Sequence, residues 1–139
     1  MEPVATVEAF NAASNAGDLD RTLGYFAGDA VLTTLPPPPP PQPSVFAGKE
    51  QIRAWFVPQM QGLHVTPRNL QARGTTVTWE ATIASDMFQQ LGIDSFEVLA
   101  EAVVEGGKLM SLTVTQTPES VAKFARAAQQ GSTPAVPRD

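Results

Sequence analysis

Three side chains of this 139-residue sequence combine a proton-handling group with an apolar setting: Asp86, His64 and Tyr25. Asp86 closes a stretch that includes Trp79 and Ile83 and opens one that holds Met87 and Phe88. A carboxylate enclosed by such side chains makes a strong general base, because lost hydration disfavours its charged form. It can take a proton from a carbon acid or activate a water. Asp86 has an ordinary use as well, as the cap of a short helix over 86–92, whose free backbone N–H groups a carboxylate accepts. His64, the single histidine, suits proton relay or sits partly exposed at the start of a strand. Tyr25, the single tyrosine, can donate to a ligand carbonyl or rest with its hydroxyl at the surface. Glu80, Glu97, Glu101 and Glu105 fall opposite apolar stripes and read as the outer side of a sheet; a one-residue slip would turn Glu101 inward.

Other chemistries are excluded by what the chain lacks. It has no cysteine, so disulfides, thiolate nucleophiles and thiolate metal sites are absent together, and one histidine builds no His-rich metal site. There is no glycine-rich phosphate loop and no Ser-His-Asp arrangement, and no cofactor or metal is expected. A net charge of −5 repels phosphate backbones and anionic membranes, so neither nucleic acid nor membrane is an expected partner. Met1-Glu2-Pro3-Val4 has no basic segment before an apolar run, and no stretch reaches transmembrane length. A cytoplasmic protein is the expectation.

The elements that must position these groups follow from periodicity. At 42% hydrophobic and 17% charged, the chain supports one packed domain, expected over residues 1–130, with a frayed tail at 131–139. Val4, Val7 and Phe10 recur at helical spacing from Pro3 to Ala16. Gly17 stops that helix and Asp18 caps a second, expected to run to about Ala27 with Leu19, Leu23 and Phe26 on one face. Ala30–Leu35 reads as a strand. The six prolines Pro36–Pro41, followed by Gln42 and Pro43, exclude helix and interior strand and predict a stiff polyproline II segment. It serves as a rim-crossing loop or as a docking motif for an aromatic groove.

Ile52, Trp55, Phe56 and Met60 mark a third helix, which Pro58 must kink or end near Val57. Residues 63–73 are extended, with Pro67 demanding a bulge or an edge. Val77, Trp79, Ala81 and Ile83 alternate with polar residues, as do Phe96, Val98, Ala100, Ala102 and Val104. Gly106-Gly107 turns the chain into a strand with Met110, Leu112 and Val114 facing inward. Thr117 caps a last helix with Pro118 at its first position, and Val121, Phe124, Ala125 and Ala128 form its apolar stripe. Strands segregated from helices in this way indicate α+β: a cone-shaped, curved antiparallel sheet wrapped around the N-terminal helices, with a C-terminal helix. The curl leaves a pocket for a small hydrophobic molecule. The expected lining is Phe10 and Phe26, Thr34, then Trp55, Phe56 and Met60, and from the later elements Trp79, Ile83, Phe88, Val98, Met110, Leu112 and Val114.

The stretches Phe10-Asn11 through Gly17-Asp18-Leu19-Asp20, Tyr25 to Val31, Phe46 to Arg53 and Val104 to Leu109 resemble, in order and spacing, the nuclear transport factor 2-like superfamily in its SnoaL-like branch. The resemblance covers nearly the whole chain. It implies the cone fold, a central pocket, frequent dimerisation, and functions from isomerase and epoxide hydrolase to polyketide cyclase and plain binding. Ketosteroid isomerases use a tyrosine and two aspartates, whose positions fall here at Phe10, Leu35 and Ala100. The Asp-Arg-Asp set of limonene epoxide hydrolases falls near Ile83, Ala81 and Val114, and that family's tyrosine and asparagine at Leu32 and Thr34. Both sites are absent from this sequence. Three functions stay open: an acid–base enzyme acting through Asp86, a non-catalytic binder, and an interaction module dimeric through its sheet. A homodimer is expected from the apolar outer stripe of Leu99, Val103 and Leu109.

Overall fold

The computed structural model describes residues 2–37 and 43–132. Most of the proline run and the tail beyond Ser132 lie outside the described residues. The order is α1 (Pro3–Asn15), α2 (Leu19–Gly24), β1 (Phe26–Leu35), β2 (Val45–Ala47), α3 (Lys49–Phe56), a 3-10 turn (Val57–Gln59), β3 (His64–Arg73), β4 (Thr76–Ala84), α4 (Asp86–Gln90), β5 (Phe96–Glu105), β6 (Lys108–Gln116) and α5 (Pro118–Ser132). The strands form one six-stranded sheet in the order β2-β1-β6-β5-β4-β3. It is curved without closing into a barrel. Strands β3 to β6 pair antiparallel with one another, β1 joins β6 in parallel, and β2 pairs antiparallel with β1.

Helix α1 begins with Pro3 at its first turn, where a missing N–H costs nothing. It buries Thr6, Val7, Phe10, Asn11, Ala13 and Ser14, and crosses strands β3 to β6. Gly17 ends it at φ 73°, a left-handed conformation that glycine adopts without a Cβ penalty. The Asp18 carboxylate then accepts from the Arg21 N–H at 3.0 Å and starts α2. Pro58 ends α3 as the sequence predicts, and the chain continues through the 3-10 turn.

Several elements differ from what the sequence predicts. Helix α2 stops at Gly24, and Phe26 and Ala27 belong to β1. The Leu109 N–H donates to the Tyr25 carbonyl at 2.7 Å and Phe26 pairs with Leu109, so sheet pairing overrides the helical spacing of Leu19, Leu23 and Phe26. Strand β2, only three residues long, carries no periodicity to read. On α5, Phe124 and Ala127 pack against the core, whereas Val121, Ala125 and Ala128 are exposed, which shifts the expected stripe.

The core holds two aromatic groups. Phe10, Phe26 and Phe56 meet edge to face with centroids 5.4 to 6.3 Å apart, and Trp55 adds to Phe56 at 4.9 Å. Phe88, Phe96 and Phe124 form the second, at 4.8 to 5.7 Å, where α4 and α5 close one end of the cone. The space between helices and sheet lies beside the first group.

Candidate functional site

A cavity of about 50 Å³ opens between α1, α3 and the concave face of the sheet. From α1 it receives Phe10, Asn11 and Ser14, which the spacings of one, three and four residues bring to one helical face. Trp55, Phe56 and Gln59 come from α3 and the turn after it, and Leu63 and Val65 from the start of β3. The central strands supply inward alternates: Trp79, Ala81 and Ile83 of β4, Val98 and Ala100 of β5, Leu112 and Val114 of β6. Trp55, Val65, Ile83 and Val114 are half-buried and rim the mouth; the others are buried and make the floor.

The polar groups on this wall are neutral. Ser14 Oγ donates to the Phe10 carbonyl at 3.2 Å, and Gln59 Nε2 donates to the Trp55 carbonyl at 2.9 Å. Asn11 Nδ2 is buried without a partner. Among the described residues lining the cavity, none carries an ionisable side chain.

The proton-handling candidates therefore stand elsewhere. Asp86 is half-buried at the first position of α4; its N–H donates to the Gln61 carbonyl at 3.0 Å and its carboxylate lies against Gly62. It is not part of the cavity wall; β4, which supplies Trp79, Ala81 and Ile83 to that wall, ends two residues before it at Ala84. His64 is exposed at the start of β3, opposite Ala84. Tyr25 is half-buried after α2 and contributes its backbone carbonyl to the pairing with Leu109. Neither lines the cavity.

Of the expected lining, Phe10, Trp55, Phe56, Trp79, Ile83, Val98, Leu112 and Val114 are on the wall. Phe26 is fully buried behind it, between Phe10 and Phe56. Thr34 bonds the neighbouring segment, its carbonyl accepting from Ser44 Oγ at 2.6 Å. Met60 packs on the core without reaching the cavity, and Phe88 belongs to the second aromatic group. Met110 is the extra residue of a bulge: Val103 pairs with Ser111 and Val104 with Leu109, so Leu109 takes the inward position instead. Asn11, Ser14 and Gln59 were not legible as wall residues, although Asn11 and Ser14 share the face of Val7 and Phe10. Helical position alone could have found those two.

The positions where the resemblance would put the epoxide hydrolases' charged set, Ala81, Ile83 and Val114, do line the cavity, and all three are aliphatic. Phe10 and Ala100, at two of the isomerases' catalytic positions, line it as well.

Among curated proteins none matches this chain. Among solved structures it is similar in fold to an uncharacterized cystatin fold protein from Novosphingobium aromaticivorans, at 24% identity over 82% of this chain and 97% of that one, with a TM-score of 0.66. It is similar to an LEH-like epoxide hydrolase from M. tuberculosis at 20% identity over 95% and 96% of the two chains, with a TM-score of 0.69. A computationally designed 17-OHP binder matches at 15% identity over 86% and 95%, with a TM-score of 0.71. The model of the SnoaL-like domain matches residues 7–126. With most of its length accounted for by that match and its helices folded into the expected cone, this chain belongs to the SnoaL-like domain family.

Proposed function

We propose that this chain binds a small, neutral, largely apolar molecule in the cavity between α1, α3 and the sheet, without acid–base chemistry from the cavity wall. The observation that carries this reading is the wall itself: aliphatic and aromatic side chains around three neutral polar ones, with no ionisable group among the described lining residues. A general base must come within hydrogen-bond reach of the proton that it takes. Ala81, Ile83 and Val114 offer none.

Size supports a partial enclosure. Pockets for drug-sized ligands run to about 300–1,000 Å³, whereas this cavity is about 50 Å³. It suits one end of a molecule whose remainder rests on the rim of Trp55, Val65, Ile83 and Val114. The fold accommodates such ligands, since one structure similar to this chain is a designed binder of 17-OHP.

Trp55 and Trp79, the two tryptophans of the sequence, both line the cavity and report its occupancy. Titration with methylcyclohexane, which does not absorb in their range, is expected to change their emission saturably. Emission that stays constant to the solubility limit of the hydrocarbon would overturn the reading. On the outer sheet face Leu99 is 51% exposed and supports a homodimer as the assembled form, whereas Leu109, expected on the same stripe, is buried because the bulge at Met110 turns it inward.

A further inference from the structure

Helix α1 carries two asparagines one turn apart whose amides are used in opposite ways. Asn15 spends both ends on one residue: its Nδ2 donates to the Val65 carbonyl at 2.8 Å, and its Oδ1 accepts the Val65 N–H at 2.6 Å. It is a structural clamp between α1 and the edge strand. Asn11 is 5% exposed, lines the cavity, and its Nδ2 has no partner. Ser14 Oγ and Gln59 Nε2, the other polar donors of the described wall, are each anchored, donating to the carbonyls of Phe10 and Trp55. Among the described wall residues, Asn11 is the one whose amide nitrogen makes no hydrogen bond at all.

Buried donors are satisfied in the great majority of cases, and an exception calls for an explanation. Leucine has nearly the shape of asparagine and would fill this position with no orphaned group, so packing alone does not favour Asn11. A resident water is a weak answer, because a buried water needs two to four polar partners and the wall around Asn11 is mostly aliphatic and aromatic. We infer that Asn11 is the recognition residue of the cavity, donating through Nδ2 to a neutral carbonyl-type oxygen on an otherwise apolar ligand. The inference rests on the binding reading above and gives the ligand its chemical class. An anion is excluded from that class, since no cationic side chain lies on the described wall to offset its desolvation.

The test uses three probes of similar shape on the full chain, measured by calorimetry. Acetophenone carries the carbonyl, α-methylstyrene replaces its oxygen with a methylene, and benzoate replaces the methyl ketone with an anion. The expected result is a ratio of acetophenone to α-methylstyrene affinity that falls about tenfold from the wild type to Asn11→Leu, as one lost hydrogen bond implies. Affinity for α-methylstyrene itself should be retained, benzoate should give no binding heat, and ligand-free Asn11→Leu should melt at or above the wild-type temperature. A ratio unchanged by the substitution, with α-methylstyrene bound, overturns the inference and leaves the binding reading standing. An Asn11→Leu chain that melts lower or does not fold also overturns it, by marking Asn11 as a structural residue. If none of the probes binds the wild type, both fail.

Discussion

Gly62 and Asp86 meet where the 3-10 turn hands over to β3. Gly62 sits at φ 71°, and a Cβ there would collide with the Asp86 carboxylate. Two independent penalties therefore act on Gly62→Ala: the left-handed backbone, at roughly 1–2 kcal/mol for a residue with a Cβ, and the collision. The substitution is expected to lower stability by about 2 kcal/mol in urea unfolding, with part of that recovered in an Asp86→Ala background. Full recovery would mean that the backbone conformation contributes nothing. Asp86→Asn, by contrast, keeps the shape of a residue that does not line the cavity. It is expected to leave apolar ligand binding unchanged and to shift stability by no more than about 0.5 kcal/mol. A binding isotherm that collapses in Asp86→Asn would return this carboxylate to the site.

At the scale of elements, α5 is fastened to the sheet through one buried hydroxyl. Ser120, 2% exposed, donates from Oγ to the Glu97 carbonyl at 2.7 Å and accepts the Glu97 N–H at 2.8 Å. Thr117 caps the helix, its Oγ1 accepting the Ser120 N–H at 3.2 Å, as its position before Pro118 predicts. Ser120→Ala leaves both backbone groups of Glu97 without that partner and is expected to cost about 1–3 kcal/mol, read by thermal unfolding. A cost below about 0.5 kcal/mol would mean that the Thr117 N–H, which also donates to the Glu97 carbonyl at 3.2 Å, and water make up the loss. The strands β4 and β5 were legible because strict alternation on a half-buried sheet has a period of two, and Trp79, Ile83 and Val98 face inward accordingly. Met110 was misread because a bulge resets that alternation without any mark in the local sequence. Phe26 was misread because a six-residue helix yields to tertiary pairing with Leu109. The cavity's polar residues were hidden for another reason: asparagine and glutamine at helical positions look like solvent-facing residues until the helix's neighbours are known.

At the scale of the whole molecule, the outer sheet face and the inner cavity make separate demands. Leu99 on β5 is 51% exposed near the middle of the sheet, and Arg68 lies 3.7 Å from Glu80 and 3.5 Å from Glu97, offsetting carboxylates that would otherwise repel a second copy. The chain is expected to sediment as a dimer at micromolar concentration, and Leu99→Glu as a monomer of unchanged secondary structure. A wild-type monomer under those conditions would contradict this use of the face. Among the described residues no helix is long and apolar enough to cross a membrane. If the uncharged cavity inside the cone holds an apolar ligand, filling that cavity from within should abolish binding. Ala100 is buried on the floor, and Ala100→Leu places its added carbons in the space assigned to the ligand. Calorimetric titration with α-methylstyrene is the measurement. Saturable binding to the wild type, with a negative heat-capacity change from buried apolar surface, is expected, and no binding heat from a folded Ala100→Leu. Equal binding by the two chains, or none by the wild type, would contradict it.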